Sequence, residues 1–167
     1  MYKRQAHDHP EDFVAHHDVV AEVLRRRPGR RLPATGTLMD LLVPTILEQK
    51  VTGPEAWEAF RALAWKYGEA APGPARLRVP PAPDRLAELG YADFHPLGVE
   101  RRRAEAILRV CRRAERFEAL VDTTPEKARA ALEQVPGIGP WTTTSVTLLA
   151  FGDPDAVVVG DFHLPTS

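Results

Sequence analysis

The sequence is poor in cysteine and has no long hydrophobic run, and each shortage excludes a class of protein. Cys111 is the single cysteine among 167 residues, which excludes an internal disulfide framework and a cysteine-ligated iron–sulfur cluster within the chain. No apolar run approaches the roughly 20 residues that cross a bilayer. The first residues also lack the apolar stretch of a secretory signal. We therefore expect a cytoplasmic protein with no membrane partner.

The chain also lacks an excess of charge of either sign. It has 22 Lys and Arg against 23 Asp and Glu, which gives a net charge of −1. No overall positive field attracts a nucleic acid, so any such contact must be local. With 44% hydrophobic and 27% charged residues, the composition is that of a globular domain large enough to bury a core.

Histidines are present, but they do not form a pattern typical of a metal site. His7, His9, His16 and His17 lie near the start of the chain. No cysteine or carboxylate accompanies them at a zinc-binding spacing, which favours surface histidines. We expect no metal site from side chains.

Helical patterns dominate the sequence, and its 16 prolines separate them. Residues 1–37 are predicted to hold a first helix over 12–27 and a basic loop at 25–31, followed by a second part over 38–167. Residues 38–50 are apolar nearly all round, which predicts a buried central helix. No alternating pattern is strong enough to build a sheet. We predict an all-α bundle of about seven helices, whose other members are placed at residues 54–67, 84–90, 99–117, 125–134 and 140–151.

A glycine-rich turn between the last two predicted helices carries the most information about function. Pro136, Gly137, Ile138 and Gly139 separate residues 125–134 from a helix that begins at Pro140. Amides at the start of that second helix have no partner within the helix, and its dipole makes this end positive, which suits a phosphate. We expect Ile138 to be buried within the turn. Taken alone, the turn is more typical of two packed helices that bind nothing.

The segment from Leu132 to Thr142, followed by Val157 to Asp161, resembles the helix-hairpin-helix (HhH-GPD) superfamily of DNA glycosylases. In that family such a hairpin is followed, one helix and one loop later, by a catalytic aspartate. Gly137 and Asp161 are 24 residues apart, as in the 3-methyladenine glycosylase II branch. The resemblance covers about residues 38–165 and implies the all-α bundle of that family, with the hairpin beside a DNA-binding cleft.

The resemblance implies a role for each residue of the motif. Asp161 is expected to be the catalytic carboxylate, which stabilises positive charge on the sugar and orients a water. The phosphate-binding residues are expected to be Gly137, Ile138, Gly139, Trp141 and Thr142.

Trp141 stands where lyase-type relatives carry a lysine that attacks the sugar. The tryptophan therefore predicts a monofunctional enzyme that uses water, and its indole face is expected to line the pocket of a cationic base. The implied reaction is hydrolysis of the N-glycosidic bond of alkylated bases such as 3-methyladenine. Another aromatic is common one turn later, where this chain has Ser145, so the lining of the base pocket departs from the pattern.

Weaker matches lie upstream of the hairpin. Residues 46–52 resemble the helix-end motif that fills the gap left by an extruded base, which makes Gln49 and Lys50 the candidates for that role. Residues 97–99 resemble the loop that wedges the opposite strand, with Leu97 at its tip. Arg101, Arg102 and Arg103 follow, and each is a candidate for phosphate contact.

The implied partner is double-stranded DNA that contains damaged bases, bound by a monomer associated with the nucleoid. No cofactor is expected, although the resemblance allows a monovalent cation on the hairpin carbonyls. The family continues with helices that close the site, whereas this chain stops at Ser167. We therefore expect the closing C-terminal helices to be missing.

Other functions remain open at this point. A non-catalytic helix-hairpin-helix module would bind DNA without releasing a base, and an inactive fragment of a glycosylase would do the same. A helical scaffold would show no salt-dependent affinity for DNA. A glycosylase for oxidised or mismatched bases is disfavoured by Trp141.

Overall fold

The computed structural model describes residues 12–28, 33–73, 76–153 and 155–161, and its regular structure is almost entirely helical. The all-α prediction is confirmed. Two 3₁₀ turns, His95–Leu97 and Ala119–Asp122, join some of the helices. In the described ranges the α-helices are α1 (Asp18–Arg26), α2 (Met39–Leu47), α3 (Gly53–Tyr67), α4 (Pro83–Ala87), α5 (Tyr91–Phe94), α6 (Arg101–Cys111), α7 (Ala114–Glu118), α8 (Pro125–Leu132) and α9 (Pro140–Phe151).

Helix α2 lies at the centre of the core, as its all-round apolar pattern predicts. It contacts α3, α6, α7 and α9. Leu42, Ile46 and Leu47 are completely buried, and so is Leu38 just before the helix. Each such side chain stabilises the fold by about 2 kcal/mol through the apolar surface it removes from water. The other helices of the core therefore pack around α2.

The start of α2 is capped by a carboxylate from another helix. Oε2 of Glu118, the last residue of α7, accepts hydrogen bonds from the amides of Leu38 at 3.1 Å and Met39 at 2.8 Å. These amides have no acceptor within α2, and the negative charge also complements the helix dipole. Glu118 thus satisfies two donors that would otherwise be unpaired.

Helices α8 and α9 pack on each other and form a helical hairpin. Leu132 and Val146 are completely buried between their neighbours. The chain before α2 is also joined to this hairpin, because the amides of Thr35 and Gly36 donate to the carbonyls of Leu149 and Ala150. The end of α9 is therefore held by the segment that leads into α2.

A short antiparallel pair of strands interrupts the helices, which the sequence pattern did not predict. Strand β1 (Glu69–Ala70) pairs with β2 (Arg78–Val79) across the proline-rich loop. Each strand has two residues, too few to show a period-two pattern. Gly68 makes the pairing possible, because a Cβ there would lie 2.1 Å from the carbonyl oxygen of Val79.

Helix α1 is shorter and less packed than predicted. It begins at Asp18, where the Nδ1 atom of His17 accepts a hydrogen bond from the Val19 amide. None of its residues is buried. Arg25 pairs with Glu22 on the helix surface. Residues 29–31 of the predicted basic loop, with His7 and His9, lie outside the described residues.

The predicted helix over residues 99–117 is two helices. It breaks at residues 112–113, between α6 and α7. Arg103, named above as a candidate for phosphate contact, is 5% exposed and therefore does not present its side chain to the solvent. Across the described ranges no helix is long and apolar enough to cross a membrane.

Candidate active site

The hairpin turn is shaped by one glycine that no other residue could replace without strain. Gly137 has φ +98°, and a Cβ there would lie 3.0 Å from the Cβ of Ala106 in α6. The positive φ and the close packing both require glycine. Ile138 is 6% exposed and belongs to the core, as expected for the residue that anchors the turn. The turn is thus pressed against α6.

The start of α9 offers amide donors without competing side chains. Gly139 is the N-cap residue and has extended backbone, with φ −121°. No side chain caps this end, and no acidic residue lies in the first turn. Because Pro140 has no N–H, the first amides of α9 that lack an intrahelical acceptor are those of Trp141 and Thr142. The helix end therefore suits an anion, and these amides coincide with the predicted phosphate site.

Gln49 connects the end of α2 to the hairpin, which differs from its predicted role. Its Nε2 atom donates to the carbonyl of Gly137 at 3.0 Å and to the Thr142 hydroxyl at 2.8 Å. These bonds make Gln49 a link between the end of α2 and the turn, and the Thr142 hydroxyl accepts one of them. The role predicted for Gln49 in the gap left by the base stays a prediction.

The neighbouring residue, Lys50, has the geometry of an exposed tip. It has φ +57°, a left-handed conformation that is uncommon outside glycine, and it is exposed. Leu97 is half-buried and packs against the core at the end of its 3₁₀ turn. The roles predicted for Lys50 and Leu97 also stay predictions.

Asp161 lies beside the first turn of α9, where its carboxylate is held by an indole. The Nε1 atom of Trp141 donates to Oδ2 of Asp161 at 3.0 Å, and both residues are half-buried. The Asp161 amide donates to the carbonyl of Val158 at 3.3 Å, which closes a turn at Gly160. The two residues singled out by the sequence motif, 20 positions apart, are thus brought together.

A half-buried ion pair holds the start of the loop that carries Asp161. Nη1 of Arg129, in α8, donates to Oδ2 of Asp153 at 3.1 Å and to the Thr147 hydroxyl at 3.2 Å. The other Asp153 oxygen accepts from the Asp155 amide. Sequence reasoning missed Arg129 and Asp153, because helix patterns do not show which charge on α8 faces the loop after α9.

Two of the hairpin carbonyls already accept hydrogen bonds from side chains. Gly137 O accepts from Gln49 at 3.0 Å, and Pro136 O accepts from the Arg109 guanidinium at 3.1 Å. A monovalent cation on the hairpin carbonyls stays a prediction. Among the described residues no group of three or more His, Cys, Asp or Glu could hold a metal ion. Burial raises the pKa of the Cys111 thiol to about 12, which keeps it protonated and inert.

Comparisons with known proteins agree with the helix-hairpin-helix motif. No model of a protein family matches the chain. The DNA-3-methyladenine glycosylase 2 of Escherichia coli is 31% identical over 143 residues, which are 81% of this chain and 49% of that protein. A Mycobacterium tuberculosis protein described as a probable bifunctional transcriptional activator/DNA repair enzyme AlkA is 28% identical over 146 residues, 85% of this chain and 29% of that protein.

A solved structure shares the arrangement of the helices. The 3-methyladenine DNA glycosylase of Archaeoglobus fulgidus superimposes with a TM-score of 0.74 at 20% identity, over 96% of this chain and 53% of that one. The chain spans half or less of the length of the two curated relatives. Motif, fold and similarity agree: over 81% of its length the chain is similar to a DNA-3-methyladenine glycosylase of type 2, and its fold is that of the helix-hairpin-helix (HhH-GPD) glycosylases.

Proposed function

We propose that this chain carries the catalytic core of a monofunctional DNA glycosylase that removes alkylated bases from double-stranded DNA. The observation that carries the proposal is the position of Asp161, whose carboxylate is held by Trp141 at the phosphate-binding end of α9. The names of the relatives support the substrate class. The protein is proposed to act as a monomer in the cytoplasm, on the nucleoid.

The hairpin would grip the strand next to the damaged nucleotide. The amides of Gly139, Trp141 and Thr142 and the positive end of α9 would bind a phosphate, and the close packing of Gly137 on α6 keeps this grip rigid. A base must leave the duplex before its glycosidic bond can be reached. Lys50 is proposed to fill the gap that the base leaves, and Leu97 to separate the opposite strand.

Asp161 would then act on the exposed sugar. Departure of the base builds positive charge on the deoxyribose, and a nearby carboxylate stabilises this charge and orients the attacking water. An alkylated purine is already cationic, so its departure needs little help from a general acid. The Trp141 N–H is used on Asp161, which leaves the indole face as the surface that a cationic base could contact.

The test is release of free base by the wild type and by Asp161→Asn. Duplexes that contain 3-methyladenine, 7-methylguanine or hypoxanthine are the substrates. Asparagine keeps the size of the side chain and an oxygen for the Trp141 bond, but it loses the charge. We expect release to fall by about a hundredfold or more. Asp155→Asn, in the same loop and exposed, is the matched control and should release base as the wild type does.

Two other results would reject the proposal. Release that survives Asp161→Asn unchanged would reject Asp161 as the catalytic group. DNA binding without release from any of the three lesions, by either protein, would indicate a binding module or an inactive fragment.

A further inference from the structure

Arg103 is a buried arginine in a run of three, and its position follows from helix geometry. Successive residues of a helix differ by about 100° in direction, so three consecutive side chains cannot share one exposed face. Arg101 and Arg102 are exposed, whereas Arg103 is 5% exposed and lies on the side of Ile107 and Val110. It is therefore not available to bind a phosphate.

The guanidinium of Arg103 bonds two carbonyls from different segments. Nη1 donates to the carbonyl of Leu47 at 2.8 Å, and Nη2 donates to the carbonyl of Gly98 at 3.3 Å. Leu47 is the last residue of α2, and the final carbonyls of a helix have no amide donor within the helix. Gly98 ends the 3₁₀ turn in a left-handed conformation, with φ +76°. The planar guanidinium thus links the end of α2 to the end of the 3₁₀ turn.

Both carbonyls lie next to residues with a proposed role at the DNA. Leu47 precedes the turn that carries Lys50, and Gly98 directly follows Leu97. The Arg103 side chain therefore joins these two segments through hydrogen bonds. Their separation is set by a fork of fixed shape, which a flexible single ammonium group would not reproduce.

Stability alone gives a weak reason for an arginine here. Its nearest carboxylate, Glu100, lies 3.7 Å from Nε and is itself 60% exposed. Nε has no hydrogen-bond partner in the described part of the chain although it is buried. Burial of an incompletely paired charge is costly, and an apolar side chain of similar volume often serves stability equally well. The two carbonyls therefore point to a positional role.

We infer that Arg103 is a positioning residue that fixes the spacing between the gap-filling tip at Lys50 and the wedge at Leu97. This inference rests on the proposed function. It predicts that Arg103 matters where a base must be taken out of a duplex, and not where the bond of an already extruded base is cleaved.

The experiment compares excision of hypoxanthine or 7-methylguanine from a duplex and from the same strand unpaired. Arg103→Lys keeps the charge but cannot bridge both carbonyls with a planar fork, and Arg103→Met keeps the volume without a donor. Arg112→Lys, at the exposed end of α6, is the matched control. We expect both Arg103 variants to lose about tenfold on the duplex relative to the single strand, and Arg112→Lys to lose nothing.

A structural role alone would give a different result. If circular dichroism melts show folded protein and the duplex and single-strand rates fall in parallel, or neither falls, the inference is overturned. Because Arg103→Lys keeps the charge and Arg103→Met removes it, the inference can still be tested if one of the two variants does not fold.

Failure of the proposed function has its own signature. In that case the wild type releases no base from either substrate. Fluorescence of 2-aminopurine placed beside an abasic-site analogue in a duplex then tests the inference without catalysis. The wild type and Arg112→Lys should raise this fluorescence by unstacking the probe, and the Arg103 variants should raise it less. Equal responses from all four proteins would reject the role of Arg103.

Discussion

Helix α1 and the α8–α9 hairpin both carry apolar side chains, yet they are exposed in α1 and largely enclosed in the hairpin. In α1 the apolar side chains are exposed, with Val19 at 64% and Val23 at 49%. In the hairpin even hydroxyl groups are enclosed, and Thr143 and Thr147 are 0% exposed. Long-range hydrogen bonds from Gln49 and Arg109 reach the hairpin turn. The difference teaches that an apolar face predicts a helix but does not predict what the helix packs against. Hydrogen bonds from residues far away in the sequence, in contrast, show which part of the fold is held in one defined position.

The largest effect on this comparison should come from truncation of a buried leucine. Leu132→Ala in α8 removes a side chain that is 0% exposed, and we expect a loss of about 3 kcal/mol in the free energy of unfolding. Val23→Ala in α1 should change it by less than about 0.5 kcal/mol. Urea unfolding of the two variants measures both values. Equal losses would mean that α1 is packed in solution and would remove the contrast.

A substitution at the hairpin turn should have the next largest effect. Gly137→Ala places a Cβ at φ +98° and 3.0 Å from the Cβ of Ala106, and we expect it to destabilise the fold by about 2 kcal/mol. Gly139→Ala is the matched control, because its φ is −121° and no atom lies within 4 Å of its Cβ. It should cost less than about 1 kcal/mol. Thermal melts distinguish the two, and a tolerated Gly137→Ala would contradict the tight packing on α6.

The smallest effect in this series concerns the polar link to the hairpin. Gln49→Leu keeps the volume but removes the donor to the Gly137 carbonyl and the Thr142 hydroxyl, and we expect a loss of about 1 kcal/mol. Amide exchange at the start of α9 should become faster. Glu22→Gln, which removes an exposed ion pair of α1, should have almost no effect. Equal exchange rates in wild type and Gln49→Leu would show that the link does not hold the turn.

Local patterns were sufficient to predict the elements that the structure places around the candidate site. The apolar run of α2, the proline that opens α9 and the buried Ile138 are all local features. The hairpin was predicted from its glycines and the helix signals beside them, whereas Asp161 was singled out by the resemblance of this stretch to a known family. These features depend on residues close together in the chain, where helix geometry relates sequence to structure directly.

The links between distant segments could not be predicted in this way. Gln49 was expected to serve the DNA, but it bonds a turn 88 residues away. Arg103 was expected to contact a phosphate, but it bonds the end of α2, 56 residues away. A polar residue on a helix end has several possible partners, and tertiary packing selects among them. Helix periodicity did contain one usable signal, since Arg103 shares the face of Ile107.

Helix α2 is held at its two ends by opposite charges from other helices. Glu118 binds amides at its start, and Arg103 binds the carbonyl of Leu47 at its end. An insertion of one residue between these points would rotate Gln49 by about 100° and move it by about 1.5 Å along the axis. Glu118 and Arg103 could not both keep their hydrogen bonds to α2 after such a shift. The length of α2 is therefore fixed by contacts from other helices at both of its ends. These contacts also prevent the helix from shifting along its own axis.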